Sequence, residues 1–345
     1  MKIVENDKIK ALKSPSYNYI FNKQNGFFIR WGKNKEDDPQ FSPYGPEILD
    51  LEISSGGDCM GNCPFCYKSN GGNQSTHNMT FEEFKTIFHK MPKTLTQIAF
   101  GIMNVYTNPD FFKIMKYAHQ NGVIPNYTTH GLDLDKNAVE KTVELCGAVA
   151  VSVVNKELTY DAIFNLTNAG MKQVNIHFLL CEEFYEKALQ VIDDIVQDER
   201  LKKLNAIVFL QYKNKNKKSL FHSVLDVEKY KNLTNYCEKN NVNYGFDSCS
   251  APIYLESIVG KENEETLSTF AEPCESGLFS SYINCYGKFF VCSFAENEDE
   301  WLEGIDVLNC DDFMKDVWMN ERLIQWRKRL IENNRNCPIY NLEYV

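Results

Sequence analysis

Three cysteines fall within eight residues of the stretch SSGGDCMGNCPFCYKSNGG (54–72): Cys59, Cys63 and Cys66, spaced C-x3-C-x2-C with Phe65 just before the third. Thiolates bind soft and borderline metals, and a structural zinc site takes four ligands. Most iron–sulfur cubes also take four. Three thiolates on a [4Fe–4S] cube leave one iron without a protein ligand, and that iron can be chelated by the amine and carboxylate of a small molecule. A zinc knuckle completed by a remote fourth residue is the other chemistry this spacing permits.

Nine further cysteines bring the total to 12 in 345 residues. The N-terminal stretch MKIVENDKIKALKS lacks the apolar core of a signal peptide, and no apolar run approaches the roughly 18 residues of a membrane span. The expected location is therefore cytoplasmic, with no membrane partner. Reduced thiols in that compartment point to metal binding before disulfides. The formal net charge of -10 repels polyanions, so no nucleic-acid partner is expected.

The elements that must position these thiols alternate. The strand ILDLEIS (48–54) runs into the cysteine loop, and Thr80 with Glu83 forms a capping box for the helix that follows. Further strands are expected at 95–100, 123–129, 148–153, 173–180, 205–212 and 242–248. Helices are expected between them, one capped by Asn108-Pro109 and others near 136–146, 158–168, 183–197 and 226–240. This pattern predicts an α/β fold, a partial (β/α)6 TIM-type barrel whose chemistry sits at the carboxyl ends of the strands. Residues 16–31 read as a short N-terminal β-hairpin turning at Asn25-Gly26, followed by a proline-bearing linker. Residues 249–345 carry six of the cysteines, short strands around Gly287 and a helix near 311–333, a small C-terminal cysteine-rich α+β module. The expected divisions are 1–44, 45–248 and 249–345.

The cysteine spacing, the aromatic Phe65 and the βα alternation together resemble the radical SAM superfamily over roughly residues 45–248. The resemblance implies that Cys59, Cys63 and Cys66 hold a [4Fe–4S] cluster whose open iron binds S-adenosyl-L-methionine (SAM). It also implies reductive cleavage of SAM to a 5′-deoxyadenosyl radical, which abstracts hydrogen from a substrate. The family's Gly-Gly-Glu-Pro stretch after the second strand is altered here: Ile102 and Met103 replace Gly, Asn104 replaces Glu and Val105 replaces Pro. The implied SAM contacts are Gly101, Asn104, Thr129, Ser152 and Asn155. His130 and His177 lie at or in strands and either face the substrate or serve the structure. The run KNKNKKS (213–219) is a solvated loop or a contact for an acidic substrate or leader peptide.

Cys274-x12-Gly287-x4-Cys292 resembles the opening of the twitch or SPASM extension of such barrels. It implies an auxiliary [4Fe–4S] cluster held by Cys249, Cys274, Cys292 and Cys337. Cys285 and Cys310 stand outside that set, and Cys146, Cys181 and Cys237 are core or helix-surface thiols. The implied function is a maturase that modifies a peptide or protein side chain, served by a reductant such as flavodoxin or ferredoxin. Two alternatives stay open: a radical SAM dehydrogenase or related enzyme on a small molecule, and a non-catalytic iron–sulfur protein for electron transfer or structure.

Overall fold

The computed structural model describes residues 1–57, 59–68, 76–215 and 220–340. At the N-terminus β1 (Lys2–Glu5), β2 (Ile9–Lys13), β3 (Asn18–Asn22) and β4 (Phe28–Trp31) form an antiparallel sheet in that order. The hairpin read from the aromatic residues is the second half of this sheet. Its first two strands, KIVE and IKALK, are short and rich in lysine, and they carry too little alternation to stand out. The inner face buries Leu12, Tyr17, Tyr19 and Phe21 against Leu278, Phe279 and Leu330, far along the chain. Arg30 fastens the same junction, with ion pairs to Glu47 (3.3 Å), Glu272 (2.5 Å) and Glu275 (3.2 Å) and its guanidinium 3.5 Å from the Phe279 ring centre.

The barrel begins with β5 (Ile48–Glu52). Its Leu49 and Leu51 are buried toward the helices, so Asp50 and Glu52 face the lumen. A two-residue ladder, β6 (Ser54–Ser55) with β7 (His77–Asn78), closes the base of the cysteine loop. Then come α1 (Phe81–Lys90), β8 (Gln97–Gly101), α2 (Phe111–Gln120), β9 (Ile124–Thr129), α3 (Lys136–Leu145) and β10 (Ala148–Ser152). The alternation continues through α4 (Lys156–Asn168), β11 (Val174–Leu180), α5 (Tyr185–Gln197), β12 (Ala206–Gln211), α6 (Val227–Lys239) and β13 (Tyr244–Phe246). The strands pair in parallel in the order β13-β12-β11-β10-β9-β8-β5, the expected partial barrel with a seventh strand closing the sixth unit.

The capping box at Thr80 and Glu83 is present, with both reciprocal bonds. Asn108 Oδ1 accepts from Asp110 N (2.9 Å) in the turn that leads into α2, and the residue also reaches back across the loop. Its Nδ2 donates to the carbonyls of Ile53 (2.8 Å) and Met79 (2.9 Å), and Asp110 Oδ2 accepts from Phe81 N (3.1 Å). The loop after β8 is thereby tied to both ends of the cysteine loop.

In the C-terminal part α7 (Ala251–Ser257) and α8 (Glu264–Ser268) precede β14 (Ser280–Ile283), β15 (Lys288–Phe290), β16 (Ile305–Asp306) and α9 (Glu321–Glu332). β14 pairs in parallel with β5, while β15 and β16 extend the edge antiparallel, giving one 10-stranded sheet. The α+β module therefore shares its sheet with the barrel. The helix expected near 311–333 is split: Met314–Trp318 forms a π-turn, and α9 restarts because Asn320 caps it by accepting from Arg322 N. Gly287 is required where it stands. Its φ is +72°, and a Cβ there would lie 2.5 Å from Leu308 Cγ. Among the described residues no helix is long and apolar enough to cross a membrane.

Candidate active site

The cysteine loop leaves the carboxyl end of β5 and packs on the loop after β8. A Cβ at Gly61 would stand 3.5 Å from Cys59 Sγ, from Cys63 Sγ and from the His130 ring, so both thiols and the imidazole converge on one bare backbone position. Cys59 Sγ points at the Met103 carbonyl (3.8 Å) and Cys63 Sγ at that of Gly61 (3.6 Å). Burial pushes the Cys63 thiol up to about 11, and the neighbouring Cys66 and Cys59 push the same way. Phe65 meets Phe184 (5.7 Å) and Phe221 (6.0 Å) edge-on. A cavity of about 220 Å³ lies between this loop and the ends of β10 and β11, lined by Cys63 and Phe65 on one side and by Val153, Val154, Phe178 and Leu179 on the other.

Asn104 is committed to the loop. Its Oδ1 accepts from Met60 N (2.9 Å) and from His130 Nε2 (2.9 Å). His130 Nδ1 accepts from Leu132 N (3.0 Å), which leaves the ring proton on Nε2. The buried neutral ring, its pKa lowered by burial, props Asn104 against the cysteine loop. Gly101 faces the lumen, and a Cβ there would lie 3.3 Å from Glu52 Cα, so the close approach of β8 to β5 favours glycine.

The remaining implied SAM contacts divide. Thr129 is 3% exposed, on the side of β9 that faces the helices, and its Oγ1 accepts from Gly131 N. Its neighbour Thr128 is the residue open to the lumen, with Oγ1 3.5 Å from His177 Nδ1. Asn155 caps α4 by accepting from Leu158 N (3.2 Å). Ser152 pairs in register with His177 and faces the lumen with it. Burial lowers His177 to about 4, so it is neutral at ordinary pH. Asp50 is open to the lumen, and the barrel wall around it, then the Glu275 carboxylate, raises it to about 7.

The C-terminal part grips the cysteine loop directly. Lys68, two residues past Cys66, bonds Glu296 (2.5 Å), Glu52 (3.2 Å) and the Tyr282 hydroxyl (2.5 Å). Tyr67 stacks on Phe294 (4.4 Å), His77 stacks on Tyr286 (4.2 Å), and Ser55 Oγ meets Cys285 Sγ (3.0 Å). Behind these contacts four thiols feel one another: Cys274 raises the pKa of Cys249 and Cys292, and Cys337 raises that of Cys274 and Cys292. Burial is the larger cause in each case, and it takes Cys292 to about 12. Cys285 is spoken for by Ser55, and Cys310 Sγ points at the Val307 carbonyl (3.3 Å). Cys181 and Cys237 are buried core residues. Among the described residues no three His, Cys, Asp or Glu side chains stand close enough for a single ion.

No family model matches the chain, and no curated protein matches it. Solved structures do. SuiB of Streptococcus suis bound to precursor peptide SuiA superposes with a TM-score of 0.71 at 12% identity, covering 94% of this chain and 90% of that one. SuiB bound to S-adenosylmethionine gives 0.67 over the same shares at 12% identity. Native anSMEcpe with bound AdoMet gives 0.62 at 14% identity, covering 87% of this chain and 88% of that one. The chain shares their fold.

Several site residues were not legible beforehand. Thr128 is separated from Thr129 only by the phase of the strand, and the two-residue period with Tyr127 buried would have chosen it. Asp50 and Lys68 carry no motif at all. Lys213 and Lys215, read as part of a solvated or substrate-facing run, turn inward to the C-terminal thiols and the Ser293 carbonyl. Residues 216–219 of that run lie outside the described residues.

Proposed function

We propose that the protein is a radical SAM enzyme that acts on a peptide or protein side chain. The observation that carries this reading is the convergence of Cys59 and Cys63 at Gly61, on the mouth of a barrel, beside a cavity. Cys59, Cys63 and Cys66 would hold a [4Fe–4S] cluster. When bound and reduced, that cluster supplies the electron that cleaves SAM to a 5′-deoxyadenosyl radical. The chain's own residues do the rest by position. Val153, Val154, Phe178 and Leu179, with Phe65 across from them, offer apolar walls against which a flat purine could pack. With Asn104 Oδ1 engaged by Met60 and His130, the methionyl amine is left to the backbone that follows β8. Gly101, Thr128, Ser152 and His177 line the lumen where the substrate C–H bond would be held near the radical.

The fold likeness supports the reading, since SuiB and anSMEcpe are radical SAM enzymes. A peptide substrate is favoured because SuiB was solved with a precursor peptide and anSMEcpe with the Cp18Cys peptide. Cys249, Cys274, Cys292 and Cys337 would hold an auxiliary [4Fe–4S] cluster, and a small reductant such as flavodoxin or ferredoxin would feed the barrel cluster. Anaerobic protein reduced with dithionite and given SAM should release 5′-deoxyadenosine. Replacing Cys59, Cys63 and Cys66 together by Ala should abolish it, and persistence of that product in the triple variant would sink the proposal.

A further inference from the structure

Lys213 follows β12 at the mouth of the barrel and is 5% exposed. Its Nζ lies 2.7 Å from Cys249 Sγ and 3.8 Å from the centre of the Phe294 ring. No carboxylate among the described residues forms an ion pair with it. An ammonium buried without a counter-charge is costly. The groups around it that can carry negative charge are the Cys249 thiol in contact, then the Asp247 carboxylate, which is engaged by Gln211 N and Ser250, and the Cys292 thiol farther off. Phe294, which the ammonium caps, stacks in turn on Tyr67, the residue after Cys66.

We propose that Lys213 is a positioning residue of the auxiliary cluster, donating to the Cys249 thiolate and offsetting the negative charge of the four-thiolate centre. The inference rests on the auxiliary-cluster reading given above. A cube held by four thiolates is net negative and becomes more so when it takes an electron. Hydrogen bonds to its sulfurs and nearby positive charge stabilise the reduced form and raise the potential. A lysine brings both to one sulfur, while its ammonium also rests over the face of the Phe294 ring. The same contact ties the end of β12 to the segment after Cys292, so the charge also locks the barrel to the C-terminal part.

The test uses the full-length, anaerobically reconstituted chain in the Cys59/Cys63/Cys66→Ala background, where the auxiliary cluster would be the one paramagnetic centre. Iron content and an electron paramagnetic resonance redox titration are compared for this parent, Lys213→Met and Lys213→Arg. The expected result is a midpoint potential lower in Lys213→Met than in the parent, with Lys213→Arg shifted back toward it. Loss of iron in Lys213→Met with retention in Lys213→Arg also supports a requirement for the charge. An unchanged potential and signal in Lys213→Met at full iron content overturns the role of Lys213 while leaving the cluster in place, and so does equal loss of iron from both variants. A parent that binds no iron removes the auxiliary cluster itself, and this proposal with it.

Discussion

Cys59, Cys63 and Cys66 come from a single loop whose base is closed by a two-residue ladder, and their described polar neighbours are mostly backbone carbonyls. Cys249, Cys274, Cys292 and Cys337 arrive from separate points along the last third of the chain. Three of them meet polar partners there: Lys213 Nζ donates to Cys249 (2.7 Å), Ser276 Oγ pairs with Cys274 Sγ (3.0 Å) and Tyr340 N donates to Cys337 (3.4 Å). The first set borders a cavity and the lumen. The second is met by polar partners, one of them the Lys213 ammonium. A short loop at a barrel mouth suits a centre that must keep one position open to an exchanging ligand. A set gathered from distant segments and supplied with donors suits a fully ligated centre, which also acts as a clasp.

The comparison is tested hardest by Cys337→Ala. Two cubes predict about eight iron atoms per chain, falling to about four in this variant, with the barrel cluster's resonance signal kept. Iron analysis after anaerobic reconstitution, together with native-state alkylation of Cys249, Cys274 and Cys292, reads the outcome. A wild-type content near four, with those thiols freely alkylated, would dissolve the distinction between the two regions.

Lys68→Met attacks the seam between them. Lys68 neutralises Glu52 of the barrel and Glu296 of the C-terminal part, both largely buried. Removing it strands two carboxylates and should cost about 3–5 kcal/mol in denaturant titration of the apoprotein. A loss below about 1 kcal/mol would mean that the stacks Tyr67–Phe294 and His77–Tyr286 hold the seam by themselves.

A smaller effect is expected at Asn104, which belongs to the barrel loop alone. Asn104→Ala leaves Met60 N–H and the buried His130 Nε2–H without their acceptor and should lower stability by about 1–3 kcal/mol. Asn104→Asp keeps the acceptor and should recover most of that loss by thermal melting. If Asn104→Ala melts as the wild type does yet binds SAM weakly in calorimetry, Asn104 is a ligand contact and not a brace for the loop.

The sequence by itself determined the order of elements in the barrel, the capping box at Thr80 and the position of the three-cysteine loop after the first strand. These follow from local rules: hydrophobic period, turn residues and ligand spacing along a few residues of chain. It also singled out Gly287 between two cysteines, whose positive φ and contact with Leu308 explain the residue. Only the tertiary structure decided how the parts join. β14 pairs with β5 across more than two hundred residues of chain, which no local period reports. The N-terminal sheet finds its core on Leu278, Phe279 and Leu330 for the same reason. Asn104, which the family resemblance offered as a ligand contact, holds Met60 and His130, because a hydrogen-bonding side chain takes the donors that packing brings to it. Lys213 looked like one more solvated charge in a lysine run, and the fold buried it on a thiol. Burial and charge balance are properties of the assembled surroundings, and no residue carries them in its own name.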